Sequence, residues 1–374
     1  MTAAVLDSCG IQLREATALD NAALITLTAA CTMNGDIALR VDRAPDFFAL
    51  NRLEGDACRV GVVTGDGGRI LGCVAAARRE VYVNGAMEVI SYVSDLKVHP
   101  DARRAGVADL LTDYVRDAAS GIGGAEVRCV LTILAGNAPM EHRARGPRGA
   151  PVLSRFATLS VKAIPLLWNR PERVNGIRVR SARTGDLPAM ADAWHRHAIC
   201  RQLATCFDAG QLSTWIARAP GLGVSDYLLA FDDAGRLRGF IGVWDQATFK
   251  QMRVVSYSPR LALTRRALNL IAPFAGTVPL PSPGGALPAL ATVHVCADQP
   301  HILRALLLEA YRRFRGGCHA FITVGLDERD PLGTAMDGLF AQPTRVHAYV
   351  TTPTGIADPE PLARLPLHLE TALV

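Results

Sequence analysis

Apolar and polar residues alternate along several short segments of the chain, and elsewhere apolar residues recur every three or four positions. Alternation predicts strands, and the longer period predicts amphipathic helices. In the first half the pattern predicts three strands, a helix and a further strand, in the order Ala57–Val63, Ile70–Ala77, Val89–Val98, Val107–Ala118 and Val127–Leu134. Strands that alternate with helices predict an α/β fold built on a mixed sheet.

The second half repeats the first at a nearly constant offset. Ile11–Ala16 matches Ile177–Ala182, and Gly68–Gly72 matches Gly235–Gly239. A strand, a helix and a strand then follow in the same order, at Ala291–Cys296, Ile302–Phe314 and Ala320–Val324. Similarity at a fixed offset indicates duplication. We therefore predict two tandem domains, residues 1–168 and 177–374, joined by a proline- and glycine-containing linker at 169–176.

Composition and charge support a globular chain without a nucleic-acid or membrane partner. Of 374 residues, 49% are hydrophobic and 20% charged, which is enough apolar material for two cores. The net charge of +5 is modest and not concentrated in one stretch, unlike that of most nucleic-acid binders. The sequence contains neither a segment of membrane-spanning character nor a signal peptide, so we expect a cytoplasmic protein.

Cysteine and histidine spacing gives no sign of a metal site. The nine cysteines include no C-x-x-C pair, and Cys73, Cys129 and Cys296 lie in apolar runs, as expected for buried, reduced thiols. His195 and His197 are two positions apart on a predicted helix, so their side chains would point to different faces. We expect no bound metal.

One segment has a pattern typical of anion binding. It runs from Asp95 to Ala108 as a strand, a turn that contains Gly106, and the start of a helix. A glycine lets backbone amides approach an anion closely, and a helix N-terminus offers unpaired N–H groups and a favourable dipole. The segment predicts a diphosphate-binding turn, although an ordinary strand–turn–helix connection with a packing glycine has the same pattern.

In this context the turn resembles the hallmark of the GNAT (Gcn5-related N-acetyltransferase) superfamily, Arg/Gln-x-x-Gly-x-Gly/Ala. Here the hallmark reads Arg103, Arg104, Ala105, Gly106, Val107, Ala108, and it follows a strand that ends in Leu96, Lys97, Val98. The resemblance implies that acetyl-CoA, or another acyl-CoA, is held by its pyrophosphate at residues 103–108 and by its pantetheine arm at residues 96–98. Asn137 matches a family asparagine that contacts pantetheine, but a helix N-cap explains it equally well.

The resemblance implies direct attack of an amine on the thioester, with a base that accepts the amine proton and an acid that protonates the departing thiolate. Tyr92 occupies the position of the family's catalytic glutamate, and Asp95 lies nearby with opposite strand parity. These two residues are the candidate catalytic groups, although Asp95 could equally be a polar strand residue that faces solvent. Ala144 stands where the family often has the acidic tyrosine.

The second copy lacks the turn motif. Aligning its strand on Leu96-x-Val98 places Pro300, Leu303 and Ala305 opposite the three motif positions. Proline has no N–H, and a leucine side chain would fill the space of a phosphate. We expect one acyl-CoA per chain, bound by the first copy, and a second copy that shapes the acceptor pocket, packs against the first or supports homo-oligomerisation.

The leading hypothesis is an N-acetyltransferase that acts on an amine of a small molecule or peptide. The alternative is a catalytically decayed protein that binds acyl-CoA in a regulatory or scaffolding role.

Overall fold

The computed structural model describes residues 5–6, 10–123, 127–146, 153–351, 362 and 364–374. The strands are β1 (Val5–Leu6), β2 (Gln12–Glu15), β3 (Ile37–Asp42), β4 (Ala57–Thr64), β5 (Ile70–Val83), β6 (Ala86–Val98), β7 (Arg128–Leu134), β8 (Ser154–Pro165), β9 (Arg178–Ser181), β10 (Tyr227–Phe231), β11 (Leu237–Asp245), β12 (Gln251–Tyr257), β13 (Ala289–Ala297), β14 (Phe321–Asp327) and β15 (Gln342–Thr351). The helices are α1 (Asn21–Ala30), α2 (Phe48–Asn51), α3 (Val107–Gly123), α4 (Ala138–Arg143), α5 (Leu187–Ala198), α6 (Ala209–Arg218), α7 (Pro259–Ala275) and α8 (Pro300–Phe314). The predicted α/β architecture with a mixed sheet is confirmed.

Thirteen strands form one sheet in the order β1-β2-β4-β5-β6-β7-β15-β8-β14-β13-β11-β10-β9. Only β6 with β7 and β13 with β14 run parallel among the described pairs of this sheet. The halves interleave at the centre, because β15 of the second half lies between β7 and β8, and β8 pairs with β14. The division at residues 169–176, between β8 and β9, stays a prediction.

The first turns of the two halves have the same ion pair. Arg14 makes two hydrogen bonds to Asp20, and Arg180 makes two to Asp186, with the closest N–O distance 2.7 Å in both. Each carboxylate also accepts a backbone N–H three residues earlier at 2.7 Å, which helps fix the chain just before α1 and α5. The repeat found in the sequence is thus also a repeat of side-chain geometry.

Helices cover both faces of the sheet, as the alternation along the strands requires. In the first half, Val62 and Ala75 face a cluster that includes α1, whereas their neighbours Val63 and Val74 face α3. In the second half α5 and α6 cover one face and α8 the other. A separate two-stranded ribbon of β3 and β12 also joins the halves. No helix in the described ranges is long and apolar enough to cross a bilayer.

Candidate functional site

The two parallel strands of the first half separate before they end. β6 and β7 are paired from Ile90 to Val93 on β6, yet β6 continues to Val98. On its other side β6 stays paired with β5 up to Val98. The backbone of Ser94–Val98 therefore faces an opening in which β7 supplies no ladder partner.

A bulge in β6 marks the start of this opening. Asp95 has a φ of +54°, and the register between β5 and β6 shifts at this point. An extra residue in one strand bends it and increases its twist, which carries the end of β6 away from β7. Aspartate tolerates left-handed backbone better than most residues, so the sequence permits the bulge here.

The turn after β6 leaves several backbone amides free to bind an anion. Arg104 and Gly106 have φ values of +72° and +76°, and a Cβ on Gly106 would meet no atom within 4 Å. Within the described chain, no acceptor is found for the amides of Arg104, Gly106, Val107 and Ala108. These donors at the start of α3 fit a pyrophosphate, as the resemblance implied.

Helix α4 is tied to the beginning of α3. Arg143 donates to the main-chain oxygen of Ala108 at 2.9 Å and to the Thr112 hydroxyl at 2.6 Å. Asn137 is the N-cap of α4, where its side chain accepts a hydrogen bond from the Met140 amide at 3.4 Å. The side chain of Asn137 thus has the capping role that the sequence left open, and its contact with pantetheine stays a prediction.

A buried ion cluster lies behind the bulge. The Asp95 carboxylate accepts hydrogen bonds from Arg43 at 3.2 Å, from Asn51 at 3.1 Å and from Lys97. Burial favours the neutral acid, but the positive charges of Lys97 and Arg43 outweigh it and hold the pKa of Asp95 well below its ordinary value. Asp95 is therefore buried and ionised rather than facing solvent.

Glu54 is a second buried carboxyl in this cluster, and it has the opposite electrostatic character. It accepts a hydrogen bond from the Ser94 hydroxyl at 2.7 Å. Burial, and then the negative charge of Asp95, raise its pKa. The two carboxyl groups thus differ in their affinity for protons because Asp95 forms ion pairs with Arg43 and Lys97, whereas at Glu54 burial and the charge of Asp95 outweigh the attraction of Arg79 and Arg43.

Tyr92 also lies in this region, with its ring buried. The guanidinium of Arg79 stacks over the ring at 3.7 Å from its centroid, and the Tyr92 hydroxyl is 3.2 Å from that of Thr132 on β7. Burial raises the pKa of Tyr92, so the phenol stays protonated at neutral pH. The hydroxyl of Tyr92 spans the two strands just where their pairing ends.

The second half contributes α6 and Lys250, which precedes β12, to the surroundings of this cluster. Trp215 of α6 donates to the main-chain oxygen of Leu53 at 3.2 Å. The Lys250 ammonium donates to the main-chain oxygens of Ala372 and Val374 at 3.0 and 2.7 Å. Burial, and then the charge of Arg43, lower the pKa of Lys250 to about 7. A titratable amine from the second half therefore belongs to the electrostatics of the first.

Tyr92, Asp95 and residues 96–98 lie at the end of β6, and residues 103–108 follow it directly, but the sequence analysis missed four polar residues of the cluster. They are Arg43, Asn51, Glu54 and Lys250. One usable signal was present, because only three of the 40 basic residues are lysines and two of those, at positions 97 and 250, meet in this cluster. Lysine is the basic residue whose pKa burial shifts readily.

The second half has the same bulge but no comparable turn. His294 of β13 has a φ of +50° at the register shift that corresponds to Asp95. Matching the bulges makes Ala297 the equivalent of Val98, so the sequence alignment given above was wrong by two residues. Only Asp298 and Gln299 then separate β13 from α8, and the residues compared with the motif lie within α8 instead of a turn.

The chain itself occupies the opening between β13 and β14. Their pairing stops at Ala291, and the segment 364–374 lies against the strands beyond that point. Glu370 accepts a hydrogen bond from the His294 amide at 3.0 Å, and Asp327 accepts one from the Leu367 amide at 2.7 Å. The second opening is thus filled where the first is not.

Comparisons with known proteins agree on the fold. No protein-family model matches the sequence, and no curated protein is significantly similar to it. A GCN5-related N-acetyltransferase from Sphaerobacter thermophilus has 17% identity and a TM-score of 0.57, with 94% of this chain and 98% of that one covered. Saccharomyces cerevisiae N-myristoyltransferase with bound myristoyl-CoA has 10% identity and a TM-score of 0.64, with 94% and 85% covered. The chain therefore shares the fold of these acyltransferase structures, which is the fold that the resemblance at residues 103–108 implied.

Proposed function

We propose that this chain is an acyltransferase that binds one acyl-CoA in its first half and transfers the acyl group, acetyl in the simplest case, to an amine of a small molecule or peptide. The observation that carries the proposal is the row of free amides at Arg104, Gly106, Val107 and Ala108, directly beyond the unpaired edge of β6. Bound acyl-CoA would supply an activated thioester. The solved structures with this fold include acetyltransferases and N-myristoyltransferase.

The two parts of the opening suit the two parts of a coenzyme A molecule. Residues 103–108 would hold the pyrophosphate, because amides at a helix N-terminus bind anions. The backbone of Leu96, Lys97 and Val98 would pair with the amide groups of pantetheine in place of β7. Arg143 would support the site indirectly, since it fixes the first turn of α3.

The amine must lose a proton during acyl transfer, and the cluster offers groups of different basicity. The low pKa of Asp95 makes it a weak base, so we assign it the positioning of Arg43 and Lys97. Glu54 has a raised pKa, so it is the stronger base of the two carboxylates and the candidate that would accept the amine proton. Tyr92 keeps its proton and would orient neighbouring groups through its hydroxyl.

The contrast between the halves supports a single acyl-CoA per chain. The second half has a short β13–α8 connection in place of the turn, and its strand opening is occupied by residues 364–374. We therefore expect calorimetric titration with acetyl-CoA to give one site per chain.

A second candidate, acyl-CoA binding without turnover, is favoured by one observation. Ala144 stands where the acidic tyrosine of the family would be, and it is buried against Ile133 and Tyr349. The deciding experiment incubates the protein with acetyl-CoA and a panel of amines and detects acetylated products by mass spectrometry. Products would support the transferase, tight binding without products would support the regulatory role, and the lack of binding would contradict both.

A further inference from the structure

Helix α7 carries an apolar face that nothing in the described structure covers. Leu263, Leu270 and Phe274 are 69, 75 and 91% exposed, and Ile271 is exposed beside them. Their spacing places them on one face of the helix. The opposite side holds the helix in place, because Ala272 is buried and Asn269 makes two hydrogen bonds to the backbone of Leu280.

Large exposed apolar side chains elsewhere are scattered. Leu19, Met87, Trp168 and Phe340 lie on four separate elements or loops. Single exposed apolar residues are normal on a protein surface, whereas a contiguous group marks a binding surface. The contiguous apolar face of α7 is therefore a candidate binding surface.

The charge around this face is positive. Arg260, Arg265 and Arg266 lie on α7, and no aspartate or glutamate occurs in the sequence between Asp245 and Asp298. Arg260 and Arg266 are exposed, while Arg265 lies over the Tyr257 ring.

The acidic residue that backbone contacts place beside the helix is Asp36. Its main-chain oxygen accepts from the amide of Ser258, at the start of α7, so it lies at the end away from Leu270 and Phe274. Among the described residues, the three arginines of α7 form no ion pair, so the apolar face is bordered by cations that lack a carboxylate partner there.

We propose that the exposed face of α7 binds the surface of an anionic lipid membrane, with its apolar side chains among the acyl chains and its arginines at the headgroups. Apolar burial and attraction to anionic lipid are the two contributions that hold interfacial helices. A second copy of the chain suits the face less well, because a symmetric contact would bring the arginines of both copies together. The sequence analysis expected no membrane partner because it searched for spanning segments, whereas α7 would lie in the plane of the interface.

The test measures cosedimentation of the full chain with vesicles of phosphatidylcholine alone and of phosphatidylcholine with phosphatidylserine, without acyl-CoA. We expect binding to the phosphatidylserine vesicles that weakens as salt is added. Leu270→Ser with Phe274→Ser should weaken binding about tenfold or more, because two apolar contacts are lost. Arg260→Gln with Arg266→Gln should also weaken it about tenfold or more, because two attractions to anionic headgroups are lost.

Phe340→Ser is the matched control, because it removes a 70% exposed phenylalanine from another part of the surface and should leave vesicle binding unchanged. Circular dichroism should show every variant folded, since none of the replaced side chains is buried. Failure of the parent protein to bind phosphatidylserine vesicles would overturn the proposal, as would full binding by the α7 variants. The proposal would also be overturned if the protein self-associated, or bound an acidic polypeptide instead of vesicles, and the α7 substitutions abolished that binding. The face would then belong to another partner.

Discussion

Gly106 combines two properties, the left-handed backbone of the turn and the open space in front of its amides, and a larger side chain would disturb both. Gly106→Leu should nearly abolish acetyl-CoA binding, because the side chain would occupy the approach to the pyrophosphate. It should also cost about 1–2 kcal/mol of unfolding free energy, because leucine disfavours positive φ. Calorimetry and thermal unfolding measure the two effects.

The control for this substitution is Gly68→Leu, in the turn before β5. Gly68 has a φ of +77° and open space at its Cβ, as Gly106 does. The control should lose similar stability and keep its affinity for acetyl-CoA. Equal affinity in the Gly106→Leu protein would show that the coenzyme binds elsewhere.

Ionisation of Glu54 is expected to determine how kcat/KM rises with pH on the acidic side of the pH–rate profile. Its pKa is raised, so the fraction of ionised base, and with it kcat/KM, should rise with pH through a value above the ordinary glutamate range. Glu54→Gln should lower turnover at least about a hundredfold and remove this rise, with little change in acetyl-CoA affinity. An unchanged profile would exclude Glu54 as the base.

Asp95 is expected to matter mainly for stability. Asp95→Asn would leave Arg43 and Lys97 buried without their anion, which should cost about 3–5 kcal/mol. Because the folded pKa of Asp95 is lowered, its contribution is complete above the unfolded pKa of about 4 and is lost as pH falls below that value. Chemical denaturation at several pH values measures both effects.

Asp186→Asn is the comparison for Asp95, since it breaks a more exposed ion pair with a single arginine and should cost at most about 1 kcal/mol. Equal losses in the two variants would argue against a buried cluster at Asp95. If the Asp95→Asn protein had normal stability but much lower turnover, Asp95 would instead be the group that accepts the amine proton.

At the scale of elements, most helices and strands could be predicted because their apolar periodicity is strong. The predicted helix Val107–Ala118 begins at the first residue of α3, and the strand predicted at Val89–Val98 ends with β6. The bulges could not be predicted, because an extra strand residue leaves the hydrophobic alternation locally ambiguous. The two-residue error in aligning the halves arose because a shift of two residues keeps the alternation of apolar and polar positions along a strand.

Lys250, in the loop between β11 and β12, should make the stability of the protein depend on pH. Its pKa is lowered to about 7, so between about pH 7 and pH 10 the unfolded chain holds the extra proton. Stability should therefore rise with pH across that window, and Lys250→Met should flatten the rise. Lys162→Met, which removes a lysine from β8, is the control and should keep the parent's slope. Thermal unfolding at pH 7, 8 and 9 measures this dependence. If stability changed equally with pH in the parent and in Lys250→Met, Lys250 would not have the lowered pKa that burial predicts.

For the whole molecule, the interleaving of the halves was beyond prediction from the sequence. The repeat indicates two similar units, but strand order depends on contacts between residues far apart in the chain, which local periodicity does not record. The same applies to the cluster of Arg43, Glu54 and Lys250, which three separate segments bring together. The motif at residues 103–108 was identifiable because its chemistry lies within one continuous segment.

The interleaving predicts that the first half does not fold alone. A fragment of residues 1–168 would lack β14 and β15, so β8 would have no partner and β7 would lose one. We expect this fragment to aggregate or stay unfolded, and coexpression with residues 169–374 to restore a complex that binds acetyl-CoA. A monomeric fragment that binds acetyl-CoA with the affinity of the full chain would contradict this expectation.

The same strand order has a consequence for biosynthesis. Ser154–Pro165 leaves the ribosome long before Phe321–Asp327 and Gln342–Thr351, the two strands between which it finally lies. The strands at the centre of the sheet therefore keep unpaired edges until nearly the whole polypeptide has been made. Nascent chains in that condition are prone to aggregate and depend on chaperones. Slow translation would lengthen this vulnerable interval, so the yield of folded protein should depend on the rate at which the second half is synthesised.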